Sequence, residues 1–500
     1  MILIAVIPVT LVLAVAALLA VQIRRLEGYW RDTGIPHESY ASYLYTNFVR
    51  FRRENVFDVL HEYRRRFGPV YGTYQGLRPL LRIASVDAAT EVLRQNFSSL
   101  PRRNLDVATG NPLWDRTMFA LPSGEWKQVR HLSGAALTNN KLRGIADTLE
   151  RLSVRLADKM VDAARTSGRF DAFNHAQGLM LDCIAAVVFG LELDALSDPA
   201  NAFCEHAQNI FAPGLAVQLL TTAPWLIKYV PFLQFPTRKT TKFFQDFTAF
   251  MIKEHRQRAD DPSRQDADIL SLWLREQKNQ PDALTDDTIA SQAFLFFVAG
   301  FETVAATLYY ALYFLATHPE AQANAVAEIA SSASQSEGTT TTTSRFDYYN
   351  RLKYVEACVL ETLRLCPTDF VIDRVCVEPC SIAGVQLKPG TAVQIPIPVI
   401  QRDSSYFPDP DEFRPERFLD GPSKIDAFLA FGDGPKGCLG KRLALLQITV
   451  ALSCILTRLH LGRCTETPDQ LDWAEGMPFL PLPKKPLIIA LDERVPELRR

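Results

Sequence analysis

The sequence predicts a mainly α-helical protein with small β-sheets, attached to a membrane by an N-terminal transmembrane helix. Three observations carry that expectation. Residues 1–23 contain no charged side chain and are rich in Leu, Val, Ala and Ile, and such a run crosses a hydrocarbon core of ~30 Å as a helix. Helix-period apolar patterns dominate over residues 139–160, 176–190 and 285–317. Strand-like alternation is confined to short stretches, chiefly 67–83 and 383–390.

The chain has 500 residues, 47% of them hydrophobic, and a net charge of −2. It can therefore bury a large core, and its charge carries no nucleic-acid signature. Arg24 and Arg25 follow the apolar run and no charge precedes it, so the positive-inside rule places the body on the cytoplasmic side. A cleaved secretory signal would begin with a basic region and have a shorter apolar stretch, so the segment reads as an uncleaved anchor. The nine cysteines form no C-x-x-C pair and no zinc-type spacing, which fits reduced thiols in a cytosolic compartment. The expected organisation is an anchor at 1–23, an aromatic and basic linker and membrane-proximal segment at 24–66, and one catalytic domain at 67–500.

Taken in order, 67–83 reads as a small antiparallel sheet broken by Gly76 and Pro79, and 87–94 as a short helix. Trp126 and Arg130 are four apart and share one helical face. The apolar region 211–235 is interrupted by Pro213, Pro224 and Pro231, so it is not one straight helix, and it reads as a lid dipping into the bilayer. The helix over 285–317 carries Glu302 and Thr303 inside an apolar run, where polar groups are costly unless partnered. The Ser- and Thr-rich stretch 331–344 reads as a flexible surface loop. Glu361 and Arg364 lie three apart on a helix over 354–365. Beyond it come a hairpin at 383–390 and a Pro-rich meander at 407–418.

The stretch Phe431-Gly-Asp-Gly-Pro-Lys-Gly-Cys-Leu-Gly440 organises the rest. Glycines 434, 437 and 440 and Pro435 let the backbone turn tightly and approach a flat ligand. A helical run over 443–456 puts Cys438 just before a helix N-terminus, whose dipole and free N–H groups are expected to lower the thiol pKa and favour the thiolate.

The spacing of Phe431, Gly434, Lys436, Cys438 and Gly440 resembles the haem-binding loop of the cytochrome P450 family, Phe-x-x-Gly-x-Arg-x-Cys-x-Gly, with Lys436 where the family usually has Arg. A lysine keeps the charge for a haem propionate and loses the bidentate fork. The resemblance extends to Trp126-x-x-x-Arg130, to Ala299-Gly300-Phe301-Glu302-Thr303, to Glu361-x-x-Arg364 and to Pro415-Glu416-Arg417-Phe418, and it covers nearly the whole body from 68 to 493. It implies the cytochrome P450 fold, haem b (heme b, iron protoporphyrin IX) as cofactor, and Cys438 as the iron ligand. Trp126, Arg130, Arg374, Lys436 and Arg102, the last preferred over Arg103, would meet the propionates, with Phe431 and Gly300 lining the haem. Thr303 would hydrogen-bond the dioxygen being activated and Glu302 would relay protons. Val304 stands where a second hydroxyl is often found. Glu361, Arg364 and Arg417 would form a buried charge network of structural role.

The resemblance further implies monooxygenation of a hydrophobic small molecule by a single-pass protein of the endoplasmic reticulum membrane. No nicotinamide or flavin fingerprint is present, so an NADPH-dependent flavoprotein reductase is the implied electron donor, with cytochrome b5 as a further candidate partner. Lys127, Lys436, Lys441 and Arg442 would form the docking surface. A reductase-independent peroxide isomerase and a non-catalytic haem sensor or carrier are the alternatives. In texture the chain is most similar to the microsomal branch with vertebrate drug-metabolising, insect detoxifying and thromboxane-synthase-like members. Residues 475–486 resemble the family's terminal hairpin, whose tip points into the substrate cavity; cavity candidates are residues 104–119, the lid, Phe294, Phe297, Phe301, residues 368–372 and Phe479, with Asp369 and Asp373 as polar contacts or surface charges.

Overall fold

In the computed structural model the longest element of the body is the helix Asp286–Thr317. It starts where Thr285 caps it, the hydroxyl accepting from Thr288 N at 3.2 Å, and Asp286 and Asp287 favour the positive end of its dipole. It stops at His318, ahead of Pro319, which cannot continue a helix. Nearly every side chain from Ile289 to Ala316 is buried, so this is a core helix with no solvent face. Against it packs Ala172–Phe189, capped by Asp171 and closed by left-handed Gly190. Both helices are long and apolar enough to cross a membrane, but most of each is buried in the body. Helices Lys353–Leu365 and Lys441–Leu456 also contact the central helix, and Asn139–Thr166 packs on Lys441–Leu456.

The structure describes residues 2–104, 109–122, 124–198, 202–208, 210, 235–258, 268–282, 284–337, 344–419, 426–475 and 480–494. The expected lid (but for Phe235), the tip of the terminal hairpin with Phe479, and residues 105–108 lie outside the described residues.

Sheet content is small, as expected. The hairpin β1 (Val70–Gln75) and β2 (Arg78–Ile83) is antiparallel. With β4 (Val371–Val375) and β7 (Ala392–Pro396) it makes a four-stranded sheet in the order β1-β2-β7-β4. Strands β5 (Cys380–Ile382) and β6 (Val385–Leu387) form the second hairpin around Ala383 and Gly384, both at positive φ. Strands β3 (Arg169–Asp171), β8 (Leu459–Gly462) and β9 (Ile488–Glu493) form a third sheet. The meander before Cys438 is irregular apart from a short turn of helix at Pro415–Phe418.

Two expectations are corrected. Residues expected as a linker pack into the body. The N-terminal helix Ile2–Thr33 continues past Arg24 and Arg25 and buries Trp30, whose indole N–H donates to Thr73 O at 2.8 Å. Tyr40 and Tyr43 pack ring edge against ring face with Tyr74 and at a tilt to each other, and Glu38, also buried, accepts from the hydroxyls of Ser42, Tyr63 and Thr73. The aromatic residues thus form a cluster of the core. Second, residues 331–337 continue the helix Pro319–Glu337, because serine and alanine on an exposed helix face are tolerated once the preceding turns are packed; residues 338–343 lie outside the described set.

Candidate functional site

The Cys438 loop is built from backbone. Gly434 sits at φ +68°, and a Cβ there would lie 2.0 Å from Leu93 O, so only glycine lets the loop rest on the helical turns 86–95. Asp433 accepts from Gly434 N and pairs with Arg94 at 2.6 Å. Gly437 N donates to Gly434 O at 3.0 Å and Cys438 N to Phe431 O at 2.7 Å. The helix Lys441–Leu456 begins two residues after Leu439, capped by Gly440. Cys438 keeps open surface although protein surrounds it, which is the condition of a residue on the wall of an internal cavity.

Burial pushes the Cys438 thiol above its ordinary range, against the expected depression. The N–H groups of Gly440 and Lys441 and the charges of Arg130 and Arg103 do act in the expected direction. Desolvation outweighs them, since a thiolate in a poorly solvated site loses more hydration than a helix end returns.

Basic groups gather around the loop. Trp126 opens the helix Trp126–Ala135, and Arg130, one turn on, donates to Gly437 O at 2.7 Å. Lys436 is buried, with Nζ 5.1 Å from the centre of the Trp126 ring. The structure brings Arg103, more than Arg102, to this place: its guanidinium donates to Lys436 O at 2.8 Å, and its charge acts on Cys438 and Arg130. Arg102 bridges Val375 through the backbone, accepting from its N–H at 2.8 Å, and its charge acts on Arg78. Alternate residues of an extended segment face opposite ways, which separates the two arginines. Arg374 is buried on β4 and donates to Asp373 O at 2.7 Å. The Phe431 ring meets Phe428 edge-on and lies under Lys441 Nζ at 5.3 Å.

On the central helix, Ala299, Gly300, Glu302 and Thr303 keep open surface while Val298, Phe301 and Val304 are buried. The Thr303 hydroxyl donates to Ala299 O at 2.7 Å, leaving its lone pairs to accept. Glu302 makes no ion pair among the described residues, and burial alone raises its pKa from about 4.5 to about 7. Gly300 does not break the helix, which runs through it without interruption. A Cβ there would lie 2.6 Å from Ile184 Cδ1, so its smallness serves close packing against Ala172–Phe189. Phe294 and Phe297 are fully buried and meet Phe244 and Phe203 edge-to-face, so they belong to the core and not to open cavity surface.

The expected charge network is present. Arg364 and Glu361, both fully buried, pair at 2.7 and 2.8 Å, and Arg417 joins Glu361 at 3.3 Å. Arg364 also donates to the carbonyls of Gln401, Pro410 and Glu412, tying the meander down. Sequence reasoning missed the Arg94–Asp433 pair and the Leu93–Gly434 contact, because neither leaves a spacing signal across more than 300 residues.

The residues around Cys438 fit the anionic, planar haem that the resemblance implies. Among the described residues the buried Trp126 indole N–H has no hydrogen-bond partner, an arrangement costing roughly 1–3 kcal/mol unless an acceptor arrives. Arg103, Arg130 and Lys436 supply positive charge beside it, and Cys438 supplies a soft ligand on an enclosed open surface.

Comparison with known proteins agrees. The family model described as Cytochrome P450 matches residues 36–489. Among similar curated proteins, Cytochrome P450 3A15 of Cavia porcellus is 30% identical over 94% of each chain. Cytochrome P450 3A5 of Homo sapiens is 29% identical over 94% of this chain and 93% of its own. Probable cytochrome P450 6d5 of Drosophila melanogaster is 27% identical over 96% of this chain and 99% of its own.

Proposed function

The chain belongs to the cytochrome P450 family, and from that premise we propose that it oxygenates a hydrophobic small molecule at the endoplasmic reticulum membrane with electrons from an NADPH-dependent flavoprotein reductase. A haem-thiolate monooxygenase with haem b as cofactor is what the family and its relatives establish. One observation carries the finer reading. Cys438 and the Ala299–Thr303 face both keep open surface within the body, and we assign them to one cavity. Haem b held by a cysteine thiolate supplies the reductive activation of dioxygen.

The chain's own residues have separable tasks. Cys438 is the iron ligand. Trp126, Arg130, Arg374 and Lys436, with Arg103 beside Arg102, hold the propionates, the indole N–H gaining the acceptor it lacks. Thr303 accepts or passes a proton at Oγ1, its own hydrogen held toward Ala299 O. Glu302, with a pKa of about 7, both gives and takes a proton at neutral pH, which is what a relay requires. Exposed Lys127 and Arg442 and the half-buried Lys441 remain as the reductase surface, with cytochrome b5 a second candidate there. Lys436 leaves that set because Trp126 covers it. Exposed Leu13, Leu18, Leu19 and Val21 on the N-terminal helix, followed by Arg24 and Arg25, support a single-pass anchor with a cytosolic body. The catalytic domain then includes the packed residues from Leu26 onward.

Thr303→Ala tests the reading. With reductase and NADPH, product formed per NADPH is expected to fall roughly tenfold or more while oxygen consumption continues. Unchanged coupling, or turnover of a peroxide without reductase, would favour the isomerase alternative.

Glu302 also makes stability depend on pH. Its folded pKa of about 7 lies above the ordinary 4.5, so the folded protein holds a proton that the unfolded chain has released. Its stabilising contribution is complete below pH 4.5 and is lost as pH rises through 7, by an amount on the order of 3 kcal/mol. Denaturation midpoints across that range are expected to fall more steeply for wild type than for Glu302→Gln; parallel profiles would rule the shift out.

A further inference from the structure

We propose that Asp369 anchors the positive end of the substrate, so that the preferred ligands are organic cations, a protonated or quaternary amine carried on an apolar body. This deepens the reading above and rests on it.

Asp369 lies between the helix Lys353–Leu365 and β4, where the chain is fixed on both sides of the sheet. Ile397 N donates to Phe370 O at 3.0 Å, and Val371 pairs with Pro396 of β7. The side chain keeps open surface although it lies deep among protein atoms, the same condition that marks Cys438. Among the described residues its hydrogen bonds come from the adjoining backbone, from Val371 N at 3.4 Å and from Phe370 N. No basic side chain forms an ion pair with it among the described residues.

Two charges act on it most among the described residues. Asp373, of like sign, accepts from Asn104 N. Arg103 is of opposite sign, but its guanidinium is turned to Lys436 O at 2.8 Å and lies 4.2 Å over the Phe119 ring. Burial raises the Asp369 pKa to about 6, so the group is largely ionised at neutral pH. An enclosed carboxylate with open surface and no ion pair is expensive, and a ligand cation relieves that cost.

The test is equilibrium dialysis of the purified holoprotein with 4-phenylbutyl-trimethylammonium and its neutral isostere, in which carbon replaces nitrogen. A quaternary nitrogen has no lone pair and does not ligate iron. At pH 7.5 the cation is expected to bind about tenfold tighter than the isostere, or more. Asp369→Asn should bring that ratio close to one and leave the isostere's affinity unchanged, which also shows the variant to be folded. In wild type the preference should decline as pH falls through about 6. A ratio near one in wild type, a ratio that survives Asp369→Asn, or a preference flat in pH between 7.5 and 5 overturns the proposal. If the asparagine variant does not fold, the wild-type pH series decides alone. Dialysis needs no turnover: a protein that lacks the thiolate carbon monoxide band contradicts the functional reading, whereas one that has the band and shows no preference contradicts only this inference.

Discussion

Cys438→Ser is expected to fold and to lose monooxygenase turnover to background, with the reduced carbon monoxide difference band moving from ~450 nm to ~420 nm. The loop does not depend on sulfur for its shape. Cys438 N on Phe431 O, Gly437 N on Gly434 O, Arg130 on Gly437 O, Arg103 on Lys436 O and Arg94 on Asp433 all hold it through other atoms. What changes is the ligand. A seryl oxygen is hard and far less acidic than a thiol, and it does not donate electron density as a thiolate does. The apoprotein's denaturation midpoint should remain near wild type, because sulfur and oxygen at this position meet the same N–H groups of Gly440 and Lys441. Retained turnover, or an unshifted band, would remove Cys438 from the site.

The parts legible in the sequence are those whose chemistry needs neighbouring residues. The Cys438 loop, Trp126 with Arg130, and Glu302 with Thr303 each act within one or two turns of chain, so spacing alone places them on a common element. Arg103 illustrates the opposite case. Which of two adjacent arginines faces the loop is set by the Arg102–Val375 bridge, a pairing across more than 270 residues that composition cannot reveal. Tyr40, Tyr43 and Trp30 suit a membrane boundary and a packed cluster equally well, and only Tyr74 and Thr73 on β1 decide between them. The direction of the Cys438 shift escapes sequence reasoning for a related reason: a helix end is visible in sequence, and the depth at which it lies is not.

Glu361→Gln is expected to destabilise the protein by about 3–5 kcal/mol, a large part of a typical margin of about 5–15 kcal/mol. Glu361 accepts from Arg364 Nε and an Arg364 terminal nitrogen, from Arg417 Nε at 3.3 Å and from Arg414 N at 2.9 Å. Glutamine keeps the volume and one accepting oxygen, but it removes the charge and sets an NH2 donor where a carboxylate oxygen accepted, which leaves the fully buried Arg364 guanidinium and the nearly buried Arg417 without a carboxylate partner. Removing one member of a buried pair is costly because the other charge stays behind without compensation, whatever the pair itself contributes. Arg417→Gln should cost less, since Arg364 still neutralises Glu361 at 2.7 Å. Urea midpoints of the two variants measure the difference. The chain from Gln401 to Phe418 is held by this network on the approach to Cys438, so Glu361→Gln should also lose haem on gel filtration under conditions where Arg417→Gln retains it. A loss below about 1 kcal/mol for Glu361→Gln, the level of an exposed pair, would mean that the meander is fixed by other contacts and that the network does not support the Cys438 loop.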